Sequence, residues 1–587
     1  MRWRRMVATV PLLLVCAATP TLADPVTRTP TARPDGCDPA RPAIAYYSGG
    51  VVLSPQPRNP PVPCGVSTGF AGAESHIVVL NDGAVVFVPA VQPAGLAGTN
   101  AGPVPIDPNT QTNASPAGLA LSADAGAHWA MLRPAGITWN PTDHSIYVDP
   151  VTGRLFFEDY SPDPQAPALG PNQSGPAHLL WSGDGGRTWH YTVINEVALP
   201  ENPRFASAIA PAGQPRPTGY PDVVYFCANT NVGFTSPVIG GRLCFKSMDG
   251  GSTFSLTSLV FDAAAPRHPE CGANPESYSA IDGDYPEPAS DGSLYLMVTC
   301  GSNVYLARSV DEAASFPVMH RRDGSAVTLP APAGNGVTGG AAELRVDPAD
   351  NLYLMWARGA HLMLAVSRDR GLSWNTPVDV TRPGLGTVLK WSFAERGIGR
   401  IAVAYLGQRP GQVTVDGYLT ESTDVLARHP VFWAGMLNQP DHPLLYGSSI
   451  QGAGYLAGPG GTEVNPAIFG AVSIQLFGND FIGSALGPDG TPWASFDADC
   501  GATPQAAGCR ADGDQTRGFA GRLVTFHSTS PPVAPPSGPE PGTGGTALPA
   551  TGGPLAVPVL GLVLLSVLLA GGLLRRRPAP RGYSRRS

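Results

Sequence analysis

The eight residues Ser182–Trp189, SGDGGRTW, place a carboxylate, glycines, hydroxyls and an aromatic within one short stretch. Such a set could bind a sugar or a metal ion, and it could equally close a turn. A second group is spread along the chain near the heads of apolar runs: Glu74, His76, Asp143, His144, Asp222, Asp284, Glu343, Lys390 and Asp480. Carboxylates brought together in pairs from such positions can hydrolyse a glycoside by acid/base chemistry, or bind a cation or a polyol. The bland alternative is that they satisfy backbone amides and water in a wet channel. A third group, Asp497, Asp499, Asp512 and Asp514 around Cys500 and Cys509, carries oxygen ligands suited to calcium, in a spacing that fits no standard loop. No other cofactor is expected. The basic run His320-Arg321-Arg322 reads as a solvated turn.

The octet recurs. Ser122–Trp129 is SADAGAHW, Ser247–Phe254 SMDGGSTF, Ser309–Phe316 SVDEAASF and Ser367–Trp374 SRDRGLSW, so successive copies start 60, 65, 62 and 58 residues apart. A near-constant period with a fixed signature means one supersecondary unit repeated. Each copy follows a short apolar strand and precedes another, so it sits in a hairpin turn. There the Asp (Asp124, Asp184, Asp249, Asp311 and Asp369) accepts from turn amides, Gly takes a positive φ, and the closing Trp or Phe buries apolar area.

The pattern S-x-D-x-G-x-[ST]-[WF] resembles the Asp box, or bacterial neuraminidase repeat, of sialidase-like β-propellers. Ser309–Phe316 departs from it by lacking the glycine, and Ser122–Trp129 by lacking the hydroxyl, with Ala127 taken to stand in its place. In that family the boxes lie in the outer hairpin of each blade, away from the substrate pocket. The resemblance therefore makes SGDGGRTW a staple of the fold.

Strands ahead of the boxes give the blade count. Glu74–Pro89, His144–Ser161, Tyr220–Ala228, Gly292–Cys300 and Ala341–Ala357 are read as the inner strands of five blades. Two more, Val388–Gly407 followed by the degenerate STDVLARHPVFW, and Phe481–Ala498, lack a good box. The expected fold is an all-β, seven-bladed propeller over 66–527, with six blades plus an accessory C-terminal unit as the alternative. Residues 24–65 precede it, and Ala43–Gly49 is the expected strand that joins the last blade and closes the ring.

The ends of the chain supply an address. Arg2, Arg4 and Arg5, an apolar run and Thr21-Leu22-Ala23 have the order of a secretory signal peptide, 1–23. Residues 528–547 are rich in Pro and Gly and read as a disordered stalk. LPATGG, an apolar stretch and three arginines in 548–587 resemble a Gram-positive cell-wall sorting signal. That resemblance makes Leu548, Pro549, Thr551 and Gly552 the sortase processing motif, with attachment to peptidoglycan; without cleavage the apolar stretch stays as a transmembrane anchor. Eight cysteines remain beyond Cys16, an even number that suits disulfides in an exported protein. Their order offers the neighbouring pairs Cys37 with Cys64, Cys227 with Cys244, Cys271 with Cys300, and Cys500 with Cys509, although order alone does not fix the connectivity.

Of the 37 basic residues three lie in the leader and six beyond Thr551, which leaves 28 against 45 acidic residues and a net charge of −17. Such a surface repels phosphate backbones, so nucleic acid is not an expected partner. The sialidase pocket requires three arginines, a Tyr activated by a Glu, and an Asp. Its first arginine belongs to an Arg-Ile-Pro motif on the first blade, whereas this chain has FAGAESHIVV there. Arg204 and Arg345 do not replace that motif. The sequence thus leads to an exported, surface-anchored, sialidase-like propeller that binds or scaffolds a surface glycan or protein; the alternative is a glycoside hydrolase of the sialidase superfamily with a nonstandard pocket.

Overall fold

The computed structural model describes residues 36–69, 75–88, 119–132, 145–159, 176–198, 200–230, 241–261, 267–272, 276–277, 286–332, 342–412, 414–446, 482–499 and 516–525. The chain divides into two units, 1–527 and 528–587, and the second lies wholly outside the described residues, as do the expected leader and sorting signal. Among the described residues, no helix is long and apolar enough to cross a membrane.

Three strands precede the first repeat: β1 (Ile44–Tyr47), β2 (Val51–Val52) and β3 (Val62–Ser67). Blade 1 is β4 (His76–Val79), β5 (Val85–Val88), β6 (Leu119–Ser122) and β7 (Ala130–Leu132). Blade 2 is β8 (Ser145–Val148), β9 (Leu155–Asp159), β10 (Pro176–Ser182) and β11 (His190–Ala198), and blade 3 is β12 (Pro200–Ala208), β13 (Val223–Thr230), β14 (Arg242–Ser247) and β15 (Ser255–Phe261). In blade 4, β16 (Glu276–Ser277) and β17 (Glu287–Pro288) both pair with β18 (Leu294–Cys300), whose other neighbour is β19 (Asn303–Ser309). Blade 5 is β20 (Glu343–Val346), β21 (Leu352–Arg358), β22 (His361–Ser367) and β23 (Val378–Asp379). Blade 6 is β24 (Thr387–Glu395), β25 (Ile401–Gln408), β26 (Thr414–Ser422) and β27 (Val431–Met436), with β28 (Leu445–Tyr446) against β26. Blade 7 is β29 (Gly483–Leu486), β30 (Pro492–Asp499) and β31 (Thr516–Val524). Seven antiparallel sheets make a seven-bladed propeller, which excludes the six-bladed alternative.

Burial explains the composition of the strands. Every residue of β5 and of β18 is buried, because a blade's middle strands are covered on both faces by its neighbours. They therefore read as continuous apolar runs of Val, Ile, Leu and aromatics rather than as alternation. One apolar cluster fills each gap between adjacent blades. In the closing gap, Ile77 and Phe87 of blade 1 meet Trp493 and Ala520 of blade 7.

The strand that completes blade 7 differs from expectation. β3 pairs with β31, from Val62↔Val524 to Ser67↔Phe519. The expected closing strand, β1, instead extends blade 6 by pairing with β27. The N-terminal segment thus spans the outer edges of two blades, and Cys37–Cys64 ties its start to β3. Cys227–Cys244 joins directly opposed residues of β13 and β14, and Cys271–Cys300 also forms, all as expected; Cys500 and Cys509 lie outside the described residues. Three disulfides fit an oxidising, extracellular setting.

Each octet closes an outer hairpin through the same serine and aspartate bonds, while the tryptophan bond to the glycine carbonyl is made in the first two copies. In Ser182–Trp189, Ser182 Oγ donates to Asp184 Oδ1 at 2.8 Å and accepts from Gly186 N at 2.8 Å. Thr188 donates to Asp184 through N at 2.8 Å and through Oγ1 at 2.7 Å, and Trp189 Nε1 reaches Gly186 O at 2.8 Å. These donors hold the Asp184 carboxyl down at about 2. In the fourth copy Ala313 takes the glycine's place with φ 62°, a left-handed conformation that costs a residue with a Cβ. In the first copy the hydroxyl position belongs to His128, not Ala127, and its Nδ1 lies 2.6 Å from Asp124 Oδ2. The degenerate blade 6 turn keeps the core of this arrangement: Ser422 Oγ donates to Asp424 Oδ1 at 3.0 Å, and Asp424 Oδ1 accepts from Val431 N at 3.0 Å.

Candidate functional site

The innermost strands β4, β8, β12, β17, β20, β24 and β29 each touch the next, and β29 touches β4, so they ring the axis. They line a cavity of about 640 Å³, within the range of small-ligand sites. Hairpin turns after these strands are stitched together at one end. Asn81 Nδ2 donates to Pro150 O at 3.4 Å, Ser290 N to Asp350 Oδ1 at 2.7 Å, Gly399 N to Asp347 Oδ2 at 3.3 Å, and Arg396 to both Leu486 O and Asn81 Oδ1 at 3.2 Å. The octets share that end, since Arg370 of the fifth copy pairs with Asp350 at 2.5 Å and Asp291 at 3.2 Å. We call it the turn end.

Acid residues dominate the lining on blades 4 to 6. Arg345, on β20, holds Glu343 at 2.9 Å and Glu287 at 3.2 Å, and also donates to Phe393 O and Leu344 O. Its guanidinium is therefore engaged on both sides by protein acceptors. Burial raises the Glu287 carboxyl, while the charge of Arg345 pulls it back. Glu395 ends β24, and neither of its oxygens has a hydrogen-bond partner; its Oε2 is fully buried. Burial, then repulsion from Glu287 and Asp347, pushes its carboxyl well above the ordinary range. Glu395 thus holds its proton more tightly than an ordinary glutamate, beside a carboxyl group held by an arginine.

Across the cavity, on blades 2 and 3, Asp222 is only 2% exposed, lines the cavity and has no hydrogen-bond partner. Burial and the nearby Asp149 raise its carboxyl to about 6. Beside it Tyr147 Oη and Ser207 Oγ bond each other at 2.8 Å. Trp391 and Tyr147 add aromatic surface to the lining.

The expected residues fall into three sets. His76 and Glu343 open β4 and β20 and are among the residues lining the cavity. Asp222 lines it from the turn end, because Tyr220–Ala228 contributes the second strand of its blade, β13; the inner strand is β12. Gly292–Cys300 is likewise the second strand of blade 4, behind β17. Lys390 is buried on β24 and is not among the lining residues. Glu74, Asp143, His144, Asp284 and Asp480 lie outside the described residues. Of the calcium candidates, Asp497 is fully buried on β30, where it accepts from Ser75 N at 3.1 Å, and burial raises its carboxyl strongly. Asp499 ends β30, while Asp512 and Asp514 lie outside the described residues. Among the described residues, no three His, Cys, Asp or Glu side chains are grouped to hold a metal ion. Arg321 bonds Leu372 O and Ala326 O, in keeping with a turn.

Arg204 and Arg345 both line the cavity, although the sequence had given neither a place at the axis. Glu287 and Glu395 were missed altogether. Glu287 opens the two-residue strand β17 in YPEP, which has no apolar run to mark it, and Glu395 ends its strand in TVLKWSFAE rather than standing at its head.

No family profile and no curated protein sequence matches this chain. Solved structures do resemble it. A Dyadobacter fermentans protein of unknown function is 12% identical, with a TM-score of 0.34 over 84% of this chain and 100% of that one. The α-L-arabinofuranosidase Arb93a of Fusarium graminearum is 12% identical, with a TM-score of 0.34 over 63% of this chain and 96% of its own. The NanB sialidase of Streptococcus pneumoniae is 12% identical, with a TM-score of 0.35 over 77% of this chain and 68% of its own. These are likenesses of fold.

Proposed function

We propose that this propeller binds an uncharged or cationic saccharide in its central cavity and is displayed on the surface of the cell. The observation that carries the reading is the state of Arg345: with Glu343 and Glu287 already on its guanidinium, it cannot clamp a carboxylate sugar. The unpartnered carboxyls of Glu395 and Asp222 are left to receive hydroxyl or amine donors. Display is supported by the sorting-signal pattern at Leu548–Gly552 and by the disulfides. The test is a glycan array probed with the full-length chain in mild detergent. Retention of neutral or amine-bearing glycans, reduced by Glu395→Gln, is expected; retention confined to sialylated or sulfated glycans would overturn the reading.

A hydrolytic reading is favoured by one observation, the unpartnered, buried Glu395, whose carboxyl is raised well above the ordinary range, near Glu287, which is held by Arg345. Such a pair would protonate a leaving glycosidic oxygen from Glu395 while Glu287 takes a proton from the water that attacks the anomeric carbon. Turnover of an aryl glycoside that disappears in Glu395→Gln supports hydrolysis. Binding without turnover leaves the protein a lectin-like module.

A further inference from the structure

We propose that the turn end of the cavity is a receptor for a protonated amino group carried on a saccharide, with Asp222 as its counter-ion. The proposal rests on the saccharide reading above and names its ligand class. Asp222 immediately precedes β13, faces the cavity, is almost wholly buried, and has neither a cation nor a hydrogen-bond donor against it. Buried carboxylates are normally paired, so this one is poised for a cation from outside.

The surroundings select the kind of cation. Asp149 is the one acid acting on it and, among the described residues, no three His, Cys, Asp or Glu side chains group here, so Asp222 makes a poor metal site. An ammonium needs less: it brings three donors, which Asp222 and the Ser207–Tyr147 hydroxyl pair can receive. Val151 and Ile209 line the same end and are more than half exposed, so the body that carries the ammonium meets apolar contacts there. A carboxylate is repelled by Asp222, and by Glu395 whenever that group ionises.

Titratable and charged groups around Asp222 fix the pH response. Asp149 acts on it from blade 2, where Tyr147 lines the same cavity; Tyr220, which donates to Asp149 and lies under Arg154, precedes it on the same connection; Arg204 lies on β12 and Glu287 on β17. Asp149 opposes ionisation of Asp222, and burial opposes it more, so the carboxyl gains its proton near pH 6. An ammonium is held only when that proton is gone. Affinity therefore falls by about tenfold between pH 7 and pH 5.

The experiment titrates the full-length chain with a β-1,4 glucosamine tetramer and with its fully N-acetylated counterpart, by calorimetry at pH 7 and pH 5. Expected are preference for the free amine at pH 7, about tenfold weaker binding of it at pH 5, and a loss of at least about tenfold in Asp222→Asn. Asp323→Asn, a surface carboxylate on blade 4, leaves binding unchanged. Equal binding of the two tetramers, or amine binding that Asp222→Asn does not weaken, overturns this inference and leaves the saccharide reading standing. No binding of either tetramer, with tetralysine bound in an Asp222-dependent way, assigns the site to peptide cations and overturns both. Should Asp222→Asn fail to fold, the pH dependence of the unaltered protein still decides, since a profile that is flat once the amine's own titration is divided out refutes the counter-ion role.

Discussion

Arg345 Nη2 lies 2.9 Å from Glu343 Oε2, two residues earlier on the same inner strand. Glu287 takes the neighbouring nitrogen, so the one strongly placed guanidinium in the acidic part of the cavity is spent within the protein. Two charged acceptors on one guanidinium leave it little residual affinity for a third.

The expected outcome is that the full chain neither releases sialic acid from sialyllactose nor binds free sialic acid. Removing both competitors in Glu287→Gln/Glu343→Gln should raise affinity for sialic acid by about tenfold, read by ligand-observed NMR. Robust release of sialic acid by the unaltered chain would place the arginines of the cavity in a different role.

Asp184 is bound by Ser182, Arg187 N and both donors of Thr188, so Asp184→Ala strands turn amides that have no other acceptor. The loss should be about 1–3 kcal/mol in chemical denaturation. Glycan binding should survive wherever the fold persists, because the octet lies in an outer hairpin and the cavity at the axis. A selective loss of binding at unchanged stability would make the octet a ligand site.

The octets were legible because their bonds connect residues no more than four apart, so the turn is written in consecutive letters. Blade 6 shows the limit of that rule: Asp424 makes the same serine bond but finds its backbone donor seven residues on, at Val431, and the pattern fades. Inner strands were harder to read. β12 is PENPRFASA, with two prolines and several polar residues, and β17 has two residues, so the more apolar β13 and β18 took their places in the sequence reading. An error of one strand reverses the end at which a residue lies, which is what happened to Asp222. The closing strand failed for a similar reason: VPCGVS is a weaker local signal than AIAYYSG, and only pairing with β31, more than 450 residues away in sequence, gives it a role.

Display on the cell is read from Leu548–Gly552 together with the apolar stretch and arginines that follow. Replacing Thr551 with Ala removes the carbonyl context a sortase recognises while leaving the apolar stretch intact. The protein should then move from a covalent wall fraction to one that detergent extracts, as seen by fractionation and immunoblot. Unchanged resistance to hot detergent would refute sortase attachment.

Glu421 gives the fold a pH dependence of its own. It lies on β26 between Ala402 and Trp433 in register, is 9% exposed, and has no hydrogen-bond partner. Burial raises its carboxyl to about 7, with Arg400 opposing. An unfolded glutamate titrates near about 4.3, so between those values the folded chain holds a proton that the unfolded chain has released. The contribution of Glu421 is accordingly most favourable below about pH 4 and is lost as pH rises through 7. Glu421→Gln removes the charge and keeps the shape, so it should raise stability by about 1 kcal/mol at pH 5, where the unfolded glutamate is already mostly ionised, and by about 3–4 kcal/mol at pH 8. Paired denaturation curves at the two pH values check this. A gain that is equal at both would show that Glu421 is destabilising for a reason other than its charge.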